Sequence, residues 1–407
     1  MTPLEAVDAH CDRIARLNGH LNAHIALDEA GARTAAGVSA KRFMAGTARL
    51  LEGVPVAVKS NMAVAGLPWD AGMALHRDRI AASDAEVVAR LRQAGAIVLG
   101  TLNMHEAALG ATTDNPWFGR AINPHGQGRT PGGSSGGSGA AVAGALAVAA
   151  LGTDTLGSVR IPAAYCGIYG LKPSHGALPD AGLEPLCRTL DAIGPLARSL
   201  DDLALMWQAL SGSAVAPRQP GRVLALDALG GVAVEPAVQC GYDRACAVLP
   251  PDAAISLPGG ATGVRLAGFA LAAAEMARHL GRDRQSDLLS PELKFLLDFG
   301  ESRAPNQPLL LATRRALVQA LGDDGVLLLP TAPQAAFVQG GEVPVTQADF
   351  TGLANIAGLP ALSLPAGQDD DGMPVAVQLV GPAGGEDLLF AAARRLDAEL
   401  QSFAWPQ

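Results

Sequence analysis

The chain has 407 residues, a net charge of −9 and a pI near 5.4. Hydrophobic residues make up 49% and charged residues 17%, which excludes a disordered chain, since disorder needs low hydrophobicity and high charge. The acidic balance disfavours a binder of the phosphate backbone, so nucleic acid is not an expected direct partner. Gly and Pro are abundant but follow no G-x-y period, which excludes collagen.

In chain order, residues 4–17 carry apolar side chains at helical spacing, and 26–45 read as a second, Ala-rich helix. Val54-Pro55-Val56-Ala57-Val58 is a short β-prone run that ends on Lys59. A helix opened by Ser83-Asp84 shows the apolar face Val87, Val88, Leu91 and is closed by Gly95, and Ala96-Ile97-Val98-Leu99 follows as a buried strand. This strand–helix–strand alternation marks an α/β fold. Residues 120–137 form a Gly/Pro/Ser-rich loop, 138–147 a small-residue helix, and 148–151 and 168–171 strands. Ser199-Leu200-Asp201-Asp202 reads as a capping box opening a helix to about 210. Residues 211–221 are the best linker, and 222–320 are mostly helical in pattern with no recognisable motif. Strands then return at 326–329, 361–364 and 375–380, followed by a helix over 387–400. No internal repeat is visible. The organisation expected is one domain over 1–407, with a core at 45–210 and 325–400 and a helical, substrate-shaping excursion at about 222–320.

Five scattered cysteines form no C-x-x-C and no Cys/His cluster, so neither a disulfide framework nor a metal finger is indicated. The apolar stretch 139–152 is shorter than the roughly 20 residues needed to span a bilayer. Residues 1–13 lack a signal pattern, and the chain reads as cytoplasmic. No membrane association, cofactor or metal is expected.

The loop Gly132-Gly133-Ser134-Ser135-Gly136-Gly137-Ser138-Gly139 is the first motif with chemistry in it. As a phosphate cradle it lacks the Lys-Ser/Thr of a P-loop. As a nucleophile elbow it lacks a strand directly before it, and only His175 and His279 lie downstream as candidate bases. Further along, Ser158 lies in Gly152-Thr153-Asp154-Thr155-Leu156-Gly157-Ser158-Val159-Arg160-Ile161-Pro162.

The segments around Lys59, Ser134 and Ser158, with their spacing, resemble the amidase signature family, whose catalytic unit is Ser–cis-Ser–Lys. Asn103-Met104-His105-Glu106, the run from Ala164 to Gly176, Gly194-Pro195-Leu196-Ala197-Arg198-Ser199, Gly358-Leu359-Pro360-Ala361 and the run from Gly372 to Gly381 also resemble family blocks. The resemblance implies an α/β fold with a large twisted mixed central sheet flanked by helices on both faces. It implies a cis Gly133–Ser134 peptide, Ser158 as nucleophile, Ser134 as bridging acid/base and Lys59 as ultimate base. The backbone N–H groups of Thr155, Leu156, Gly157 and Ser158 are the oxyanion donors on this pattern, with Gly133, Ser135, Asp154 and Arg160 in support.

The residue chemistry agrees. A serine hydroxyl needs a base to become a nucleophile, and no Ser-His-Asp set is evident. Burial of Lys59 at the end of an apolar strand would lower its pKa and leave a neutral amine near pH 7. Asp154 and Arg160 read as an ion pair holding the loop, or as substrate contacts. His105-Glu106 reads as structural or pocket lining, and Cys166 as core. Two departures stand out: Leu156 where the family usually has Gly, narrowing the acyl pocket, and Ser60 where many members carry Asp after the lysine. The expected activity is hydrolysis of a linear carboxamide through a seryl acyl-enzyme. The alternatives are a ureide or biuret-type hydrolase or an amidotransferase A-type subunit in an assembly, and an inactive amidase-fold binding protein. The partner expected is a small amide or ureide, with the further options of a homodimer or a small partner subunit.

Overall fold

The computed structural model describes residues 1–406. Twelve helices are present among them: α1 (Pro3–Leu21), α2 (Glu29–Met44), α3 (Glu86–Gln93), α4 (Gly136–Ala143), α5 (Arg160–Tyr165), α6 (Leu200–Ser211), α7 (Pro236–Val248), α8 (Gly260–Leu280), α9 (Pro291–Ser302), α10 (Gln307–Leu321), α11 (Gly352–Ala357) and α12 (Glu386–Leu400). The strands are β1 (His24–Leu27), β2 (Pro55–Lys59), β3 (Ile97–Leu102), β4 (Asp114–Asn115), β5 (Gly119–Arg120), β6 (Ala149–Asp154), β7 (Tyr169–Lys172), β8 (Ala192–Ala197), β9 (Arg222–Leu226), β10 (Ala253–Ile255), β11 (Gly325–Pro330), β12 (Ala361–Gln368) and β13 (Pro374–Val380).

Eleven strands form one mixed sheet in the order β1-β3-β2-β6-β8-β7-β12-β13-β11-β9-β10, and β4 and β5 pair separately. The β2–β3 and β2–β6 pairs are parallel. From β6 to β11 the pairing is antiparallel, and β9 and β10 add parallel strands at the far edge.

Both sheet faces are covered, which explains why the strand sequences are almost uniformly apolar rather than alternating. In β2, Val56 and Val58 enter a core with residues of α3, α6 and α12, while Ala57 points to the other face and packs with residues of α1, α2 and α4. In β11, Val326 and Leu328 join the first core, and Leu327 and Leu329 meet residues of α8 to α11. The two-residue repeat of a strand thus divides each hydrophobic run between two cores.

Several boundaries follow local chemistry. Ser199 Oγ accepts the Asp202 N–H at 3.0 Å and starts α6, and Gly95, at φ +100°, follows the end of α3. The helix expected over 26–45 begins later. Residues 24–27 pair with β3 instead, and Asp28 caps α2 by accepting the Gly31 N–H at 2.9 Å. The segment 222–320 supplies four helices, as its pattern implies, and also β9 and β10, which extend the main sheet. Among the described residues no helix is long and apolar enough to cross a membrane.

Candidate active site

β2 and β6 run parallel and adjacent, with Val58 opposite Leu151. Their carboxyl ends therefore place Lys59 and Thr153 side by side. Ligands of α/β sheets gather at such carboxyl ends. The Lys59 side chain is wholly buried. Its Nζ lies 2.8 Å from Ser134 Oγ and 2.8 Å from Thr153 Oγ1. Burial lowers its pKa to about 7, while the charges of Asp191 and Asp154 pull the other way. An amine at that value is substantially neutral at pH 7 and can accept a proton.

Ser134 sits in the glycine-rich turn before α4, and the Gly133–Ser134 peptide is cis. The turn is fixed from three sides. The His105 N–H donates to the Ser134 carbonyl at 3.1 Å. Thr113 Oγ1 donates to the Gly132 carbonyl at 2.8 Å and accepts the Gly136 N–H at 3.0 Å. A side chain on Gly133 would meet the backbone of Ala111 and Thr112 at 2.7–2.8 Å, so the close approach of two main chains requires glycine here. Ser135 ties this turn to the other motif: its N–H donates to the Ser158 carbonyl at 3.3 Å, and its hydroxyl donates to the Thr153 carbonyl at 3.2 Å.

Ser158 is half-buried, whereas Lys59 and Ser134 are fully enclosed. The loop that carries Ser158 is organised by Asp154. Its carboxylate accepts the Gly157 N–H at 2.8 Å and the Val159 N–H at 3.2 Å. It also takes Arg160 Nε at 3.0 Å and Nη2 at 2.9 Å. Both side chains are fully buried. Burial alone would raise the Asp154 pKa, and the adjacent Arg160 guanidinium more than offsets this and holds it low. Arg160 reaches onward to Gln378 Oε1 (2.8 Å) and Asn355 Oδ1 (2.6 Å), so its contacts are internal ones. The Gly157 N–H, expected as an oxyanion donor, is thus occupied by Asp154. No protein acceptor among the described residues takes the N–H of Thr155, Leu156 or Ser158.

The Leu156 side chain faces α8 and α11. Its Cδ2 lies 3.0 Å from the point where a Cβ on Gly268 would stand and 3.6 Å from that on Gly352. Two glycines accommodate the leucine that replaces the usual glycine. Thr351 Oγ1 donates to the Leu156 carbonyl at 2.6 Å. Thr155 Oγ1 donates to Asp191 Oδ1 at 2.6 Å, and burial raises the Asp191 pKa to about 6.

His105 is buried, and burial lowers its pKa to about 4, so it is a neutral ring near pH 7. Glu106 accepts from Trp117 Nε1 at 2.7 Å and from the Ser290 N–H and hydroxyl, which anchors the start of α9. Cys166 is fully buried with its pKa raised by burial, in keeping with a core thiol. No group of side chains among the described residues is arranged to hold a metal ion. Thr153, Asn61, Asp191, Thr351, Asn355 and Gln378 are not site residues that the sequence points to. Thr153 and Asn61 stand in the segments that carry Ser158 and Lys59, and Gln378 lies inside the family-like run from Gly372 to Gly381; Asp191, Thr351 and Asn355 lie outside the quoted segments and arrive through the fold.

The family model for the amidases matches residues 5–223 and 303–390. The chain is 35% identical to a glutamyl-tRNA(Gln) amidotransferase subunit from Anaeromyxobacter sp. strain K, covering 97% of this chain and 92% of that one. Among solved structures it resembles a protein of a vestigial complex tied to the origins of an s-triazine catabolic enzyme, at 29% identity and TM-score 0.93, covering 100% and 97% of the two chains. It also resembles a crystal structure of an amidase, at 33% identity and TM-score 0.89, covering 98% and 96%. The chain belongs to the amidase signature family, and it is an enzyme of carboxamide C–N bond hydrolysis.

Proposed function

We propose that the protein hydrolyses a small linear carboxamide through an acyl-enzyme on Ser158, with Ser134 and Lys59 as its proton relay. The observation that carries this reading is the 2.8 Å contact between Ser134 Oγ and the wholly buried Lys59 amine. Neutral Lys59 takes the Ser134 proton as Ser134 takes that of Ser158, and Ser158 Oγ bonds to the carbonyl carbon. The tetrahedral oxyanion is held by the free N–H groups of Thr155, Leu156 and Ser158; preorganised donors of this kind are among the largest contributors to rate in acyl transfer. As the intermediate collapses, the C–N bond breaks and the relay returns the proton to the leaving nitrogen. Water then attacks the ester by the same route, releasing the acid and regenerating Ser158.

Asp154 and Arg160 act as structural supports in this scheme, because their hydrogen bonds are spent on the loop and on Gln378 and Asn355. A second reading, work as one component of an assembly, is favoured by the likeness to an amidotransferase subunit. Co-purification of a small partner subunit with the native protein tests it. The primary reading is tested with a serine-directed fluorophosphonate and a panel of aliphatic, aryl and dicarboxylic monoamides and ureides, with ammonia release measured. Labelling that disappears in Ser158→Ala, together with ammonia release from at least one amide, is the expected result. Labelling or turnover that survives in Ser158→Ala contradicts it.

A further inference from the structure

When Lys59 takes up the relay proton, an ammonium forms on a side chain that is wholly buried. A buried charge is tolerated only with a counter-charge close by. Burial lowers the Lys59 pKa to about 7, and two carboxylates oppose this, Asp191 more strongly than Asp154. Asp154 is already paired, since Arg160 holds it through Nε at 3.0 Å and Nη2 at 2.9 Å. The donors to Asp191 are all neutral. The Thr155 hydroxyl reaches Oδ1 at 2.6 Å, and the N–H groups of Leu186 and Cys187 reach Oδ2 at 2.9 and 3.0 Å.

The sheet brings the two groups together. β6 lies between β2 and β8. On one side of it, the end of β2 carries Lys59 Nζ to within 2.8 Å of Thr153 Oγ1. On the other, Asp154 pairs with Ala192 of β8, so Asp191, one residue earlier, falls beside Thr155. Thr153 and Thr155 flank Asp154, which turns away toward Arg160, and they stand about 7 Å apart along an extended chain. Lys59 and Asp191 therefore meet the same pair of hydroxyls from opposite sides. Asp191 is also held in place. Its own N–H donates to the Cys187 carbonyl at 2.8 Å, and Asn355 Nδ2 bridges the Asp154 and Leu190 carbonyls at 2.8 and 3.3 Å. The other titratable groups nearby do not change charge near pH 7. Burial keeps His105 neutral and the Cys187 thiol protonated, Arg160 keeps Asp154 ionised, and Glu275 of α8 is engaged by Thr189.

Resting on the relay described above, we propose that Asp191 is a positioning residue for the reaction, its carboxylate supplying the counter-charge to the ammonium that forms on Lys59. The test is the pH dependence of fluorophosphonate labelling of Ser158 in the parent protein and in Asp191→Asn. Asparagine keeps the shape and the hydrogen bonds: its oxygen takes the two N–H groups, and its nitrogen donates to the Thr155 hydroxyl. Without the negative charge the amine is less basic. The inflection therefore moves to lower pH by about half to one unit, less than the shift from an opposite charge in direct contact, because the two hydroxyls intervene. The plateau above it falls severalfold, since a weaker base takes the proton less readily. A merely structural disturbance lowers the plateau and leaves the inflection in place.

The reciprocal measurement does not need Asp191→Asn to fold. Burial raises the Asp191 carboxyl to about 6 against its hydrogen bonds and the charge of Lys59. In Lys59→Met that carboxyl, followed by carbon-13 NMR of aspartate-labelled protein, should titrate higher by a similar amount, because coupling between two sites is reciprocal. An inflection that stays in place or moves up in folded Asp191→Asn, or a carboxyl that titrates unchanged in Lys59→Met, overturns the role of Asp191 alone. A parent profile with no inflection near pH 7 contradicts the relay itself.

Discussion

Two lysines end strands of the same sheet, Lys59 on β2 and Lys172 on β7, and both are wholly buried. Burial lowers each to about pKa 7. Their neighbours differ. Lys59 Nζ touches two hydroxyls, Ser134 Oγ and Thr153 Oγ1. Lys172 Nζ donates to the Pro173 carbonyl at 2.7 Å, with Arg160 driving its pKa further down and Asp154 and Glu386 opposing. A hydroxyl can accept a proton and pass one on, whereas a backbone carbonyl can only accept a hydrogen bond. Desolvation thus sets how basic each amine is, and the partner decides whether that basicity can be used.

The largest expected effect separates the two pockets. Lys59→Met loses about 10⁴-fold in kcat/KM while remaining folded, the scale seen when one member of a nucleophile–base unit is removed. Lys172→Met, per folded molecule, stays within about tenfold of the parent enzyme. Steady-state kinetics on both variants, with circular dichroism as the folding control, check this. Equal losses in two folded variants would erase the distinction.

Next comes Arg160, which stands between the pockets. Arg160→Met strips Asp154 of its ion partner and leaves Gln378 and Asn355 without their donor. Removing one partner of a buried pair destabilises by about 3–5 kcal/mol, readable by chemical denaturation. A loss below about 1 kcal/mol, the worth of an exposed pair, would show that the Asp154 carboxylate is satisfied by the loop N–H groups alone.

Local sequence does not distinguish the two lysines. Val56-Ala57-Val58-Lys59 and Tyr169-Gly170-Leu171-Lys172 are both apolar runs ending in lysine. What separates them in the sequence is the glycine-serine motif and the second serine, at positions that match a family pattern. That pattern points to Ser134 beside Lys59, and the sheet faces and most helices follow from hydrophobic periodicity. The contacts that support the Ser158 loop are hidden, because Asn355, Thr351 and Gln378 reach it from about 200 residues away in the chain; the family-like run from Gly372 to Gly381 marks Gln378's segment but not what its side chain touches. β8 is hidden for another reason: Gly194-Pro195 lies in its middle, and proline normally argues against an internal strand. β1 and β10, of four and three residues, are too short to show a period.

Smaller effects sharpen the comparison further. The folded pKa of Lys172 lies below its ordinary value of 10.5. Between about pH 7 and 10.5 the unfolded chain therefore binds more protons, and the contribution of Lys172 to stability rises with pH. Lys172→Met removes that contribution, so its melting temperature should gain less between about pH 7 and 9 than that of the parent. A gain at least as large in the variant would show that the buried amine contributes nothing to the slope. Thr153→Val is the mildest change. It removes a hydroxyl that favours the charged amine, so the acidic limb of the rate profile should move to lower pH; movement to higher pH would contradict the role given to Thr153.

The neutral Lys59 amine can be tested without knowing the substrate. The rate constant for fluorophosphonate labelling of Ser158 is measured from about pH 5 to 11, a range that spans both the lowered and the ordinary lysine pKa. It should rise with pH through an inflection at about 7, then level off, and the rise should be absent in Lys59→Met. A rate that is flat across this range, or that climbs only at about pH 10 as for an ordinary lysine, would contradict the relay.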